Sequence, residues 1–259
     1  MLTLVSYPNK NKLLFLITFF GVLITFCFPP IKQNTNYHAF ADCINIHGIS
    51  NFSNVISNFP FISFGLIGLY LIAPKKIKFK LYYSTLFISL IGTGIGSMYY
   101  HINPNNSTLF WDRLPMTIAF MSVLTILISQ YIDEIAGKKL FWWLIGFGFL
   151  SVIYWKVSTH FGYEDLRPYI IVQFLPLILV PLILILYPGK EKKYFWAVIL
   201  IYVAAKIFEI ADEKIFSSLH FISGHTLKHL VASLIALPIL YKIKKTTISK
   251  NTNRNHFST

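Results

Sequence analysis

The sequence predicts an all-α integral membrane protein, with a seven-helix transmembrane core preceded by one extra N-terminal transmembrane helix. Three observations carry that reading. Of 259 residues, 55% are hydrophobic and only 13% charged, whereas a soluble globular domain carries about a quarter charged residues. The apolar residues gather in runs of about 20, the length that crosses the hydrocarbon core as a helix. Between those runs the basic residues alternate in density from one loop to the next, as in a chain that weaves through a bilayer.

Eight runs follow in order: Leu13–Ile31, Val55–Ala73, Leu81–Tyr100, Phe110–Gln130, Leu140–Trp155, Tyr169–Tyr187, Tyr194–Ile210 and Leu219–Tyr241. The first comes after Lys10 and Lys12, as the core of a secretion signal would. No small-x-small cleavage pattern follows it, only Phe26, Cys27, Phe28 and two prolines. It is therefore read as a retained anchor. The fifth and seventh runs are short enough to be buried helices instead. The chain divides accordingly into residues 1–36 (a tip and the extra helix), 37–241 (the core) and 242–259, a polar basic tail expected to lack fixed structure.

The net charge of +13 would suggest nucleic acid in a soluble chain. Its placement argues otherwise. The N-terminal tip, the KKIKFK, GKK and GKEKK loops and the tail hold sixteen Lys and Arg, and the intervening loops hold five. Positive residues mark the cytoplasmic face, so both termini are expected inside and a nucleic-acid role is excluded. The two cysteines, Cys27 and Cys43, have neither the depth to pair nor the CxxC spacing of a metal or redox site.

With that topology the polar residues collect on the outer side. Seven of the ten acidic residues fall there, all but Asp133, Glu134 and Glu191. Ionisable groups near hydrocarbon are expensive and usually face the bundle interior, where they mark a site. Glu213, Lys214 and His220 read as solvated interfacial residues, and His38, His47 and His160 as loop residues. His225 and His229 differ. Four residues make slightly more than one turn, so both imidazoles leave the same helix face. His101 reaches the same depth from another helix. Three imidazoles with an open fourth position form the donor set of catalytic zinc, which lowers the pKa of water to about 7. Thr226, Leu227 and Lys228 stand between the pair, so no HExxH glutamate is present and Asp112 is the candidate general base by depth. Ser97, one turn from His101, is placed to donate to an oxyanion. The competing reading is a polar helix–helix contact in which these side chains hydrogen-bond across the bundle.

Ser97-x3-His101-x10-Asp112 with a late His225-x3-His229 resembles the signature of the CREST superfamily of seven-span membrane hydrolases, and most of all its alkaline ceramidase branch. GTGIGSMYYH before WDRLPM resembles that branch's Gly-Ser-x3-His and Asp-x-x-Pro-Met blocks. NVISNFPF (Asn54–Phe61) resembles its Asn-Thr-x-Ser-Asn block. YHAFADC, YEDLRPYIIVQFLP and SGHTLKHLVA resemble its bacterial members. The likeness runs from about Tyr37 to Leu240.

The resemblance implies a zinc-dependent amidase acting on a lipid amide such as ceramide; with the charge pattern above, its site is expected on the periplasmic side of a bacterial inner membrane. His101, His225 and His229 would bind zinc, Asp112 would activate water, and Ser97 would assist the oxyanion. Calcium is weakly supported: the family's glutamate before the Asn-Thr-x-Ser-Asn block is Asn51 here, leaving Asp42 and Asn45 as oxygen ligands. Two rivals remain open. One is an esterase acting on a phospholipid. The other is a receptor or transporter, for which Pro176 and Pro181 in the sixth run offer the broken helix that transport favours.

Overall fold

The computed structural model describes residues 8–255. Within them the chain is helical throughout, with no strand beyond a single bridge between Ile46 and Ile49. The helices are α1 (Pro8–Cys27), α2 (Phe52–Ile56), α3 (Phe59–Ile72), α4 (Lys80–Ile102), α5 (Asn106–Leu127), α6 (Glu134–His160), α7 (Arg167–Leu186), α8 (Lys192–Ile210), α9 (Asp212–Leu219), α10 (Gly224–Ser233) and α11 (Ala236–Asn255). A 3-10 turn at Thr35–His38 precedes α2, and a π-turn at Ile128–Ile132 extends α5. Seven segments are long and apolar enough to cross a membrane, α1 among them; α8 joins them if it is counted with α9, from which it bends by 68°. The chain is thus a multi-pass integral membrane protein with one helix ahead of its core.

The predicted runs map onto these segments with informative differences. The second run is broken at Ser57–Asn58, between α2 and α3, with Pro60 in the first turn of the new helix. The fifth is no short buried piece but the 27-residue α6. Its polar ends lie outside the apolar stretch that the sequence displays. The sixth stays continuous as α7 despite Pro176 and Pro181, so the broken helix falls instead at α8–α9. The eighth begins at Gly224, since Leu219 ends α9, and it is interrupted between α10 and α11. Beyond Lys242, where composition suggests a chain without fixed structure, α11 continues to Asn255. Lys242 itself is buried and donates to the Tyr83 hydroxyl at 2.8 Å, with Glu191 at 3.6 Å. These partners hold it in the bundle rather than in a tail. His256 lies outside the described residues.

Close packing is centred on α4 and α5, and it depends on a small residue. A Cβ on Gly96 would lie 2.1 Å from the Trp111 carbonyl oxygen, so only glycine lets the two backbones approach this closely. The end of the bundle where α4 finishes carries an aromatic cluster of Phe40, Tyr100, Trp155 and Tyr169 with Leu109 and Leu166. The larger aliphatic core, including Phe87, Leu127, Ile183, Phe195 and Ile239, fills the remainder.

α1 packs on the outside of the bundle, antiparallel to α7, and adds only Leu14 to the buried core. Lys10 Nζ donates to the Leu186 carbonyl at 2.7 Å, and the Tyr187 hydroxyl to Asn11 Oδ1 at 2.5 Å. At its other end Arg167 Nη1 donates to the Phe28 carbonyl at 2.7 Å, and Leu166 N to that of Ile31 at 2.8 Å. From there residues 31–42 run as a strap across the end where α4 finishes.

Candidate metal centre

Two helix hairpins and the strap build the site. α4 ends on His101, and its Asn103–Asn105 turn is closed by a capping box between Asn105 and Thr108 that starts α5. The turn returns Asp112 to within two turns of the same end. Ser97, one turn below His101, brings its hydroxyl beside the Asp112 carboxyl. On the opposite side the Ser223 hydroxyl caps α10 by accepting from Thr226 N at 3.1 Å. Gly224 admits the bend behind it, since a Cβ there would lie 2.2 Å from the Phe208 carbonyl oxygen. Asp212, at the start of α9, accepts from His225 N at 2.7 Å and from Ala41 N of the strap at 3.2 Å.

The three histidines meet. The candidate ligand atoms of His101, His225 and His229 all lie within 4.8 Å of one another, and all three residues are buried. Among the described residues they form the one group of three or more His, Cys, Asp or Glu side chains arranged to hold a metal. Their rings stand edge to face, with centroids 4.7–4.9 Å apart. Tetrahedral nitrogen ligands at about 2.0–2.1 Å from zinc are about 3.4 Å apart, so modest inward movement of the rings would close the set.

Hydrogen bonding favours a ligand over a mutual contact. His101 Nδ1 is buried and has no hydrogen-bond partner among the described residues, as fits a nitrogen that meets a metal better than one held by hydrogen bonds across the bundle. For His229, Nδ1 lies 2.9 Å from Ser57 Oγ and 3.2 Å from Asn58 Nδ2. The Ser57 hydroxyl donates to the Asn54 carbonyl at 3.1 Å, so its oxygen is free to accept from His229 Nδ1–H. That tautomer presents Nε2 as the metal-binding atom. Thr226 Oγ1 donates to Asn54 Oδ1 at 2.7 Å and ties α10 to the same segment. The donor set and its supports fit a zinc ion.

The strap covers this centre. Phe40 packs against both His101 and His225, with centroids 4.6 Å from each. A cavity of about 730 Å³ opens alongside, between the strap (Tyr37, Phe40) and Glu209, Asp212, Phe216 and His225. His38 is no ligand: its ring bonds the Tyr100 hydroxyl and Asn106 Oδ1, each at 2.9 Å.

The remaining polar residues find other partners. Arg167 grips Asp165 in an ion pair at 2.8 Å. Arg113, next to Asp112, is not among the residues that line the cavity. It lies in a box of Tyr37, Trp155 and Tyr169 rings and donates to Gln33 Oε1 at 2.6 Å. Of the groups considered for calcium, Asp42 is buried, and its Oδ2 has no hydrogen-bond partner among the described residues. Asp42 Oδ1 accepts from Ile44 N, Asn45 Oδ1 from Gly48 N, and Asn51 donates to the His101 carbonyl. Cys27 and Cys43 are free and exposed.

Three contributors were not read from the sequence as parts of the site. Ser57 and Asn58 belong to the NVISN block, whose role becomes visible only once α2 lies beside α10. Glu209 bonds Lys228 across 19 residues, and the α8–α9 bend that permits this leaves no mark in hydropathy.

No curated protein matches the chain. The profile of the ceramidase family matches residues 41–256, which include every residue of the histidine centre. The chain therefore belongs to the ceramidase family, membrane hydrolases of a lipid amide bond.

Proposed function

We propose that the chain is a zinc-dependent intramembrane hydrolase that cleaves the N-acyl bond of ceramide or a closely related lipid amide. One observation carries the zinc reading: three buried imidazoles converge within 4.8 Å, and one of them has a nitrogen with no hydrogen-bond partner among the described residues. His101, His225 and His229 would hold the ion. Bound zinc would acidify water and polarise the amide carbonyl.

The chain's own groups supply the rest. Asp112, buried beside Ser97, takes a proton from the attacking water and returns it to the leaving amine. The Ser97 hydroxyl donates to the carbonyl oxygen as charge develops there. Phe40 and the strap keep bulk water from the histidines, and the cavity beside them receives the polar linkage while the acyl chain stays among apolar helices. In this reading residues 37–241 form the hydrolase unit, both termini are cytoplasmic, and the centre faces the periplasmic side of a bacterial inner membrane. The density of Lys and Arg in alternate loops supports that orientation.

The test is metal analysis of purified wild type and His225→Ala, coupled to hydrolysis of ceramide and of a phospholipid. Wild type is expected to hold about one zinc per chain and to release fatty acid from ceramide; His225→Ala loses both. A metal-free wild type that hydrolyses ceramide, or a fully active His225→Ala, rejects the zinc reading. Exclusive hydrolysis of the phospholipid would make it an esterase.

A further inference from the structure

Two lysines, Lys206 and Lys228, lie within apolar segments, where a cation needs a partner or a function. One carboxylate serves both. Glu209 Oε2 pairs with Lys206 from the preceding turn of α8, and Glu209 Oε1 lies 3.0 Å from Lys228 Nζ on α10. Lys206 and Glu209 already neutralise each other, so Lys228 brings a surplus positive charge into the bundle. That charge is not turned to water, as the side chain is only 17% exposed. Its Nζ is 3.5 Å from His225 Nε2 and within electrostatic reach of Asp112 and Tyr37. An ammonium has three donors. Glu209 takes one, and the face towards His225 and Asp112 borders the place where the amide carbonyl must sit.

We infer that the Lys228 ammonium, positioned by Glu209, is a second donor to the substrate carbonyl oxygen as it becomes an oxyanion. The inference rests on the hydrolase reading above. Water adds its oxygen to the carbonyl carbon and its proton passes to Asp112. The carbonyl π pair moves onto oxygen, where Lys228 and Ser97 donate. As Asp112 loses its charge, the negative charge Lys228 faces reappears on that oxygen. The pair then re-forms the carbonyl, the C–N bond breaks, and the amine leaves with the proton from Asp112. Lys228 keeps its three hydrogens throughout, and Glu209 is a positioning residue.

The test compares Lys228→Met, Lys228→Arg and Glu209→Gln with wild type for zinc content, for kcat and KM on ceramide, and for affinity for a ceramide analogue bearing an anionic phosphonate in place of the amide. Zinc is expected to stay at the wild-type level. Lys228→Met lowers kcat by about 10²-fold with little change in KM. It also weakens phosphonate binding about tenfold more than ceramide binding, and Lys228→Arg recovers most of both losses. Glu209→Gln lowers kcat by about tenfold. A zinc-loaded Lys228→Met with kcat within about threefold of wild type, or with the loss confined to KM, overturns the inference. Should Lys228→Met fail to fold, an unchanged kcat in Glu209→Gln overturns it. An active His225→Ala would instead overturn the zinc reading, whatever Lys228 does.

Discussion

His229, proposed above as a metal ligand, is held through its second nitrogen. The Ser57 hydroxyl oxygen accepts from Nδ1–H, and that hydroxyl is in turn oriented by its own bond to the Asn54 carbonyl. Such supports typically contribute ten- to hundredfold in metal affinity. Ser57→Ala is therefore expected to weaken zinc binding by about tenfold, as read by competition with a chelator. Unchanged zinc affinity in Ser57→Ala would show that the ring is fixed by packing alone. At this scale the sequence was informative where chemistry has a fixed spacing. The i, i+4 pair His225 and His229, and the i, i+4 pair Ser97 and His101, are legible because helix geometry turns spacing into a shared face. Ser57 and Glu209 are not, because their partners lie on other helices and nothing in the spacing states which helices touch.

Among the elements, the α4–α5 hairpin matters most to the site because it carries His101, Ser97 and Asp112. Its two backbones meet where Gly96 faces the Trp111 carbonyl. Gly96→Val forces them apart, and overpacking of this kind typically costs about 1–3 kcal/mol. The expected outcome is a lower melting temperature in detergent together with loss of bound zinc, since His101 and Asp112 move with the two helices. Full zinc occupancy in a destabilised variant would mean that the hairpin contributes stability but not placement. The existence of the helices is readable from apolar runs, as the eight segments show. Their interruptions are not. Breaks at Ser57–Asn58 and between α10 and α11, and the 68° turn into α9, interrupt the helix without changing mean hydropathy. Lys242 misleads for a related reason: its charge suggests a tail, while Tyr83 and Glu191 hold it in the bundle.

Over the whole molecule, the first helix and the strap join the segment ahead of the seven-helix core to the candidate metal centre. The orientation proposed above gives a direct test, because Cys43 is exposed near the strap end of the bundle. In a Cys27→Ser background, a membrane-impermeant maleimide added to spheroplasts is expected to label Cys43, and inverted vesicles are expected to protect it. The opposite pattern would place the centre on the cytoplasmic face. The strap is fastened on both sides of its path, by Arg113 to Gln33 and by His38 to Tyr100. Phe40, two residues past His38, is thereby seated on the histidines. The roof of this candidate metal centre is thus supplied by chain that arrives from a helix ahead of the seven-helix core. A sequence built on the same seven core helices but without that leading segment would have to shelter its imidazoles by some other piece of polypeptide, or leave them open to the membrane surface.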